Sequence, residues 1–182
     1  MSTIRGRAHR FGDNINTDVI IAAQHKAASL DLSEMARHTF EDIDPGFVDR
    51  VRPGDIVVAG SNFGCGSSRE TAAHVLRELG IGAVLAQSFA RIFFRNAINI
   101  GLTVLECDTS ATGDGDQIEV DLERGLAINH SRDIATPVTP LPAVMRAVLR
   151  EGGMAAYLRA HGDLVDLAEA DAVPAQTTGE TS

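Results

Sequence analysis

One stretch constrains this chain more than any other: Gly60-Ser61-Asn62-Phe63-Gly64-Cys65-Gly66-Ser67-Ser68-Arg69-Glu70. It follows a short apolar run, Ile56-Val57-Val58-Ala59, that reads as a buried strand. It precedes residues 71–79, where Ala72, Val75, Leu76 and Leu79 recur at helical spacing. The stretch is therefore a strand-to-helix turn. Its three glycines, Gly60, Gly64 and Gly66, let the backbone take positive φ and let a ligand approach the main chain closely. Ser67 or Ser68 suits the N-cap position, with Glu70 in the first turn facing the unpaired amides. A small anion fits such a helix start. Arg69 adds a planar fork that can grip a carboxylate with two hydrogen bonds.

The spacing fails two familiar phosphate motifs. No lysine stands where a P-loop needs one, and the dinucleotide fingerprint requires a third glycine where Arg69 stands. A purely structural role, a glycine-rich connection leading to a capped helix, is the plain alternative. Cys65 supports a different chemistry, since a thiol near a helix start is often acidic and nucleophilic. A cysteine enzyme would need a histidine base such as His74 or His25, and neither spacing indicates pairing.

Around this turn the chain reads as a small parallel sheet. Residues 3–11 form a first strand and residues 12–18 a polar turn in which Asn14, Asn16, Thr17 and Asp18 can bond their own backbone. Residues 32–38 form a short helix, followed by an irregular stretch. Arg52-Pro53-Gly54-Asp55 turns into the strand at 56–59, Gly80 closes the central helix, and residues 83–86 form the next strand. Strand, helix and strand imply parallel neighbours joined by a right-handed crossover. Residues 89–98 are helical, with Arg91 and Arg95 on one face able to meet a partner, and Asn96 and Asn99 in position for buried hydrogen bonds. Residues 103–106 give the third parallel strand. After residue 109 a hairpin spans 117–122 and 126–130. Pro137, Pro140 and Pro142 mark a linker to a helical region, 143–161, broken at Gly152-Gly153. The fold class expected is α/β, with a more antiparallel segment after the parallel sheet.

With 182 residues and 44% hydrophobic content, the chain suits one domain with a sizeable core. No apolar run approaches a membrane span and the N-terminus lacks a signal-peptide core, so a cytoplasmic protein with no membrane contact is expected. A net charge of -9 argues against nucleic acid as a partner. Two cysteines, Cys65 and Cys107, are too few for a disulfide framework or an iron-sulfur cluster. No ligand cluster for a metal is apparent from spacing.

Gly64-Cys65-Gly66-Ser67-Ser68-Arg69-Glu70 resembles the serine-serine-arginine signature of the aconitase swivelling-domain family, in the free-standing form of the 3-isopropylmalate dehydratase small subunits. Residues 12–21, Gly-Asp-Asn-Ile-Asn-Thr-Asp-Val-Ile-Ile, and 88–102, beginning Ser-Phe-Ala-Arg-Ile-Phe-Phe-Arg-Asn, resemble the same family in the same order. The resemblance implies a three-layer β/β/α swivelling domain over residues 1–168, with 169–182 of the composition of a disordered tail. It implies a hydro-lyase active only with a larger subunit, isomerising 2-isopropylmalate and 3-isopropylmalate by dehydration and rehydration in leucine biosynthesis. That larger subunit would carry a 4Fe-4S cluster; this chain would hold no cofactor. By the same resemblance Ser67 is the catalytic base, and Gly66, Ser68 and Arg69 bind substrate. Asp18 acts from behind the site by orienting a histidine of the larger subunit.

Residues 22–31 depart from the family, whose members carry there a proline and a tyrosine-leucine pair in a loop that helps to choose the substrate side chain. His25 and Lys26 stand in place of that pair. A lysine is an odd lining for an isopropyl group, which leaves homoaconitate, dimethylmalate, citraconate or another small hydroxy-diacid open as substrate. A subunit that binds and regulates without catalysing is the non-enzymatic alternative.

Overall fold

The computed structural model describes residues 3–28, 31–67 and 70–162, with residues 26–28 as backbone only. Ser68, Arg69, the side chain of Lys26 and the tail expected at 169–182 lie outside the described residues. The elements in chain order are β1 (Thr3–Arg10), α1 (Thr17–Ile20), α2 (Ala23–Ala28), α3 (Leu32–Ala36), α4 (Phe47–Arg50), β2 (Ile56–Ala59), α5 (Glu70–Glu78) and β3 (Ala83–Ala86). They continue with α6 (Arg91–Ile100), β4 (Thr103–Glu106), β5 (Gln117–Asp121), β6 (Leu126–Asn129), β7 (Ile134–Pro137), α7 (Ala143–Arg150) and α8 (Met154–His161).

The strands follow the order β4-β3-β2-β1-β5-β6-β7. β1 belongs to both halves. Its last residues run parallel to β2, pairing Ala8 with Ile56 and Arg10 with Val58, while Thr3 to Arg7 run antiparallel to β5. β2, β3 and β4 are parallel, and their apolar runs are buried because the half-sheet is covered on both faces. β5, β6 and β7 form an antiparallel meander. This is the α/β class with a parallel and an antiparallel part that the residue pattern indicates.

Asp55 ties the two halves at their junction. Its Oδ1 accepts the Arg7 amide at 3.0 Å, its Oδ2 accepts the Arg52 amide at 2.9 Å, and His9 Nε2 lies 2.8 Å from Oδ2. Burial opposes the charge on Asp55, but the bonds from His9 and the two amides outweigh it and hold its pKa below the ordinary value. Gly6 passes so close to Gly54 that an added Cβ would overlap the Gly54 carbonyl.

Two helices beside the site, α5 and α6, owe their ends to glycine. α5 buries Ala72, Ala73, Val75 and Leu76, and Gly80 leaves it at φ 79°, with the Ile81 amide closing on the Leu76 carbonyl at 3.1 Å. α6 buries Phe93, Ala97, Ile98 and Ile100 and ends at Gly101, φ 84°. The Gly152-Gly153 break separates α7 from α8 as expected. No helix among the described residues is long and apolar enough to cross a membrane.

Some local expectations need correction. Residues 12–18 are not all turn, because Asn16 caps α1 through its side chain, which accepts the Asp18 amide at 2.9 Å. Residues 23–28 are helical rather than loop, in keeping with three alanines in six residues. The helix expected over 89–98 runs instead from Arg91 to Ile100. Asn99 on it is exposed and Asn96 only half-buried, so neither is a buried contact residue. The stretch around Pro137 is an edge strand, where proline is tolerated because no neighbour needs its amide.

Candidate functional site

At the carboxyl ends of the parallel strands, three loops are stitched to one another much as strands are. Bonds cross the first gap in both directions: the Phe11 amide donates to Val58 O at 2.7 Å and the Gly60 amide to Gly12 O at 3.1 Å. Further along, the Asn14 amide reaches Ser61 O, the Gly64 amide Ile15 O and the Thr17 amide Cys65 O, all at 2.7 to 2.8 Å. On the opposite flank the Phe63 amide reaches Ser88 O at 3.0 Å and the Ala90 amide reaches Phe63 O at 2.9 Å. The segment 60–67 is thereby held between 12–17 and 87–90. These are the three stretches that carry the family resemblance, and such crevices beyond parallel strand ends are where ligands bind in α/β folds.

Side chains complete the stitching. Asp13 Oδ1 accepts the Ser61 amide at 2.7 Å, Ser88 Oγ accepts the Asn62 amide at 2.8 Å, and Asn62 Nδ2 donates to Asn14 Oδ1 at 2.9 Å. Asn14 and Asn62 sit at φ 55° and 62°, a left-handed conformation that asparagine tolerates. Gly64, at φ 77°, lies against Phe93, and Gly66, at φ 92°, lies against the Asn16 side chain. A Cβ at either position would overlap those groups, so glycine is required twice over.

Ser67 emerges from this frame exposed, as does Gly66. Thr17 Oγ1 donates to Ser67 O at 2.9 Å, which fixes the serine's backbone while leaving its hydroxyl at the surface. α5 begins at Glu70, too late for Ser67 to be its N-cap. A cleft of about 380 Å³ opens beside Ser67, with Thr17, Gly64 and Gly66 on one wall and Arg91, Ile92 and Phe93 on the other. The second wall is the start of α6, whose N-cap residue Ala90 makes no side-chain capping bond. A helix start carrying an arginine favours an anion in the cleft. Arg91 and Ile92 are the residues that helical periodicity did not point to as part of a site; their place three and four residues after Ser88, at the end of a loop stitched to 60–67, is what brings them there.

The remaining candidates are distributed unevenly. Asp18 follows Thr17 on α1 and is half-buried, and it does not itself line the cleft. His25 does not line the cleft; its Nε2 bonds Glu41 Oε1, and its ring stacks on His38 with centroids 3.8 Å apart. His74 pairs with Glu70 on its own helix at 3.5 Å. The two histidines that a cysteine nucleophile would call upon thus have carboxylate partners. Cys65 is half-buried, and burial together with Asp108 pushes the Cys107 thiol up to about 11, so that it is protonated and a poor nucleophile at neutral pH. The described residues do not fit an iron-sulfur cluster. They do gather His25, His38 and Glu41, whose donor atoms lie within 4.8 Å of one another, a cluster that the spacing in sequence did not disclose.

Comparison with known proteins agrees with this fold. Residues 12–110 match the model of the aconitase C-terminal domain. The chain is 50% identical over 159 residues to 3-isopropylmalate dehydratase small subunit 2 of Archaeoglobus fulgidus, covering 87% of this chain and 96% of that one. It is 46% identical over 157 residues to the 3-isopropylmalate dehydratase small subunit of Caldicellulosiruptor saccharolyticus, covering 85% and 90% respectively. The crystal structure of a 3-isopropylmalate dehydratase from Methanocaldococcus jannaschii superposes with a TM-score of 0.84 at 41% identity, covering 88% of this chain and 95% of that chain. The chain belongs to the aconitase C-terminal domain family, among its 3-isopropylmalate dehydratase small subunits.

Proposed function

We propose that this chain is the small subunit of a two-chain hydro-lyase of the cytoplasm that interconverts 2-isopropylmalate and 3-isopropylmalate by dehydration and rehydration, for leucine biosynthesis. The observation that carries the reading is the exposed Ser67 at the lip of a cleft, its backbone pinned by Thr17 and its flanking glycine closed against Asn16.

Removing a weakly acidic proton beside a carboxylate requires charge stabilisation on that carboxylate as the proton leaves. In this scheme Arg69, the amide of Gly66 and the hydroxyl or amide of Ser68 hold one carboxylate of the diacid. The start of α6 and Arg91 supply further positive potential from the facing wall. Ser67 takes the proton and returns it to the neighbouring carbon. A serine is a weak base, and a helix start favours its alkoxide by only about 1 kcal/mol. Arginine and exclusion of water by the larger subunit make up the difference. Departure of hydroxide calls for a Lewis acid, which a 4Fe-4S cluster on the larger subunit would supply. Asp18, beside the Thr17 wall, acts by orienting a histidine of that subunit.

The absence of the tyrosine-leucine pair leaves the side chain accepted at C2 as the open variable. Turnover of the reconstituted two-chain enzyme against a panel of 2-substituted malates tests the reading. Isopropylmalate is expected to give the highest kcat/KM. A preference for homoaconitate, dimethylmalate or citraconate keeps the reaction and replaces the substrate. Assembly without turnover of any of them leaves the chain a binding subunit.

A further inference from the structure

His25 stands on α2, whereas His38 and Glu41 belong to the turn that follows α3, yet the three meet. Glu41 reaches both rings, one oxygen bonded to His25 Nε2 and the other 2.6 Å from His38 Nδ1. The rings lie face to face, 3.8 Å between centroids and 9° from parallel. Their side chains keep 17% and 39% of their exposure and that of Glu41 keeps 32%, so the cluster is partly dehydrated but open on one side.

With both rings neutral, each can donate one N–H to its own Glu41 oxygen, whereas protonating both would place two positive charges on stacked planes with one carboxylate between them. A divalent cation can take the same three atoms once each ring carries its proton on its other nitrogen, so that two neutral imidazoles and a carboxylate share one positive centre. Two nitrogens and an oxygen suit zinc and its transition-metal neighbours, whereas calcium and magnesium prefer oxygen alone. The backbone around the cluster is also held. Phe40, between the two ligands of the turn, takes φ 61°, a conformation that bulky residues avoid, and keeps it because its ring is buried against Phe11 and Phe47 and its amide donates to Ile20 O at 3.0 Å.

We propose that His25, His38 and Glu41 form a binding site for a divalent transition-metal ion of the zinc type, with a fourth position open to solvent. The bound ion clamps α2 to the turn after α3. α2 carries the pair that stands where the family chooses its substrate side chain; this last consequence alone rests on the proposed function, and the site does not.

The test uses the untagged full-length chain freed of metal. Titration with Co²⁺, followed by visible absorption and by displacement with Zn²⁺, is expected to show one ion per chain in a four-coordinate environment. Binding weakens as pH falls through the histidine range, because protons compete for the ligands. His25→Gln, His38→Ala and Glu41→Gln each reduce affinity more than about a hundredfold, beyond the loss of a mere outer partner. His130→Ala and His161→Ala, which remove histidines paired with single carboxylates, leave affinity unchanged. Should a variant fold poorly, the wild-type chain still decides: Zn²⁺ raises its Tm and slows amide exchange in residues 23–28. No saturable binding, binding indifferent to the three ligands, or a Tm that follows pH but ignores Zn²⁺ overturns the proposal. Because every readout is made on this chain alone, loss of dehydratase activity in the two-chain enzyme does not bear on it.

Discussion

In the proposed mechanism, Ser67 and Gly66 carry the chemistry at the residue scale. Ser67→Ala is expected to lower turnover of the two-chain enzyme by about a thousandfold, in the range of a lost general base, with no change in assembly measured by gel filtration. Near-normal turnover removes the base assignment. Gly66→Ala forces a Cβ at φ 92° into the Asn16 side chain. It costs about 1–2 kcal/mol from backbone conformation alone, and kcat is expected to fall further than stability does, because the displaced residue adjoins Ser67. Asp116 offers a pH readout away from the site. Burial opposes its charge, but Asn129, Arg132 and the Gly113 amide bond its carboxylate and draw its pKa down to about 2. A depressed folded value means that stability is fully present above the ordinary carboxylate range and is lost as pH falls toward about 2. Urea unfolding of Asp116→Asn is therefore expected to show a shallower loss of stability below pH 4 than the wild type, since about 3.9 is where an unperturbed aspartate titrates.

Among the elements, β1 is the most exacting. Gly6→Ala drives a side chain into the Gly54 carbonyl where the strand passes from one half-sheet to the other. It is expected to cost at least about 2 kcal/mol in urea unfolding, as overpacking against backbone does. The elements that could be read from sequence are those with strong local signals. The runs at 56–59 and 83–86 are uniformly apolar, 103–106 is apolar at its centre, α5 repeats its apolar residues at helical spacing, and glycine ends α5 and α6. α1 and α4 are single turns of four residues each, too short to show a period. β7 is exposed over most of its length and so lacks an alternating pattern. The same logic applies to the site. Ser67 and its glycines lie in one continuous motif, whereas Arg91 joins them only through backbone bonds between loops, and His25 joins His38 and Glu41 only through a left-handed turn at Phe40.

On the scale of the whole molecule, the start of α6 offers a surface to the second subunit of the proposed assembly. Arg91 and Ile92 are exposed there, Ile92 at 50%, and both border the cleft. In the proposed assembly Arg91→Glu is expected to weaken association with the larger subunit more than tenfold, about 1.4 kcal/mol, with the far-UV spectrum unchanged. Unaltered affinity by calorimetry would place the contact elsewhere. The strand shared by both half-sheets bears on how the chain comes apart. Since β1 pairs on one edge with β2 and on the other with β5, and Asp55 grips the amide of Arg7 between them, neither half can shed the strand without unravelling the other. Amides of β2 and β6 should then gain and lose deuterium protection in step, as one cooperative unit, although no hydrogen bond joins those two strands directly.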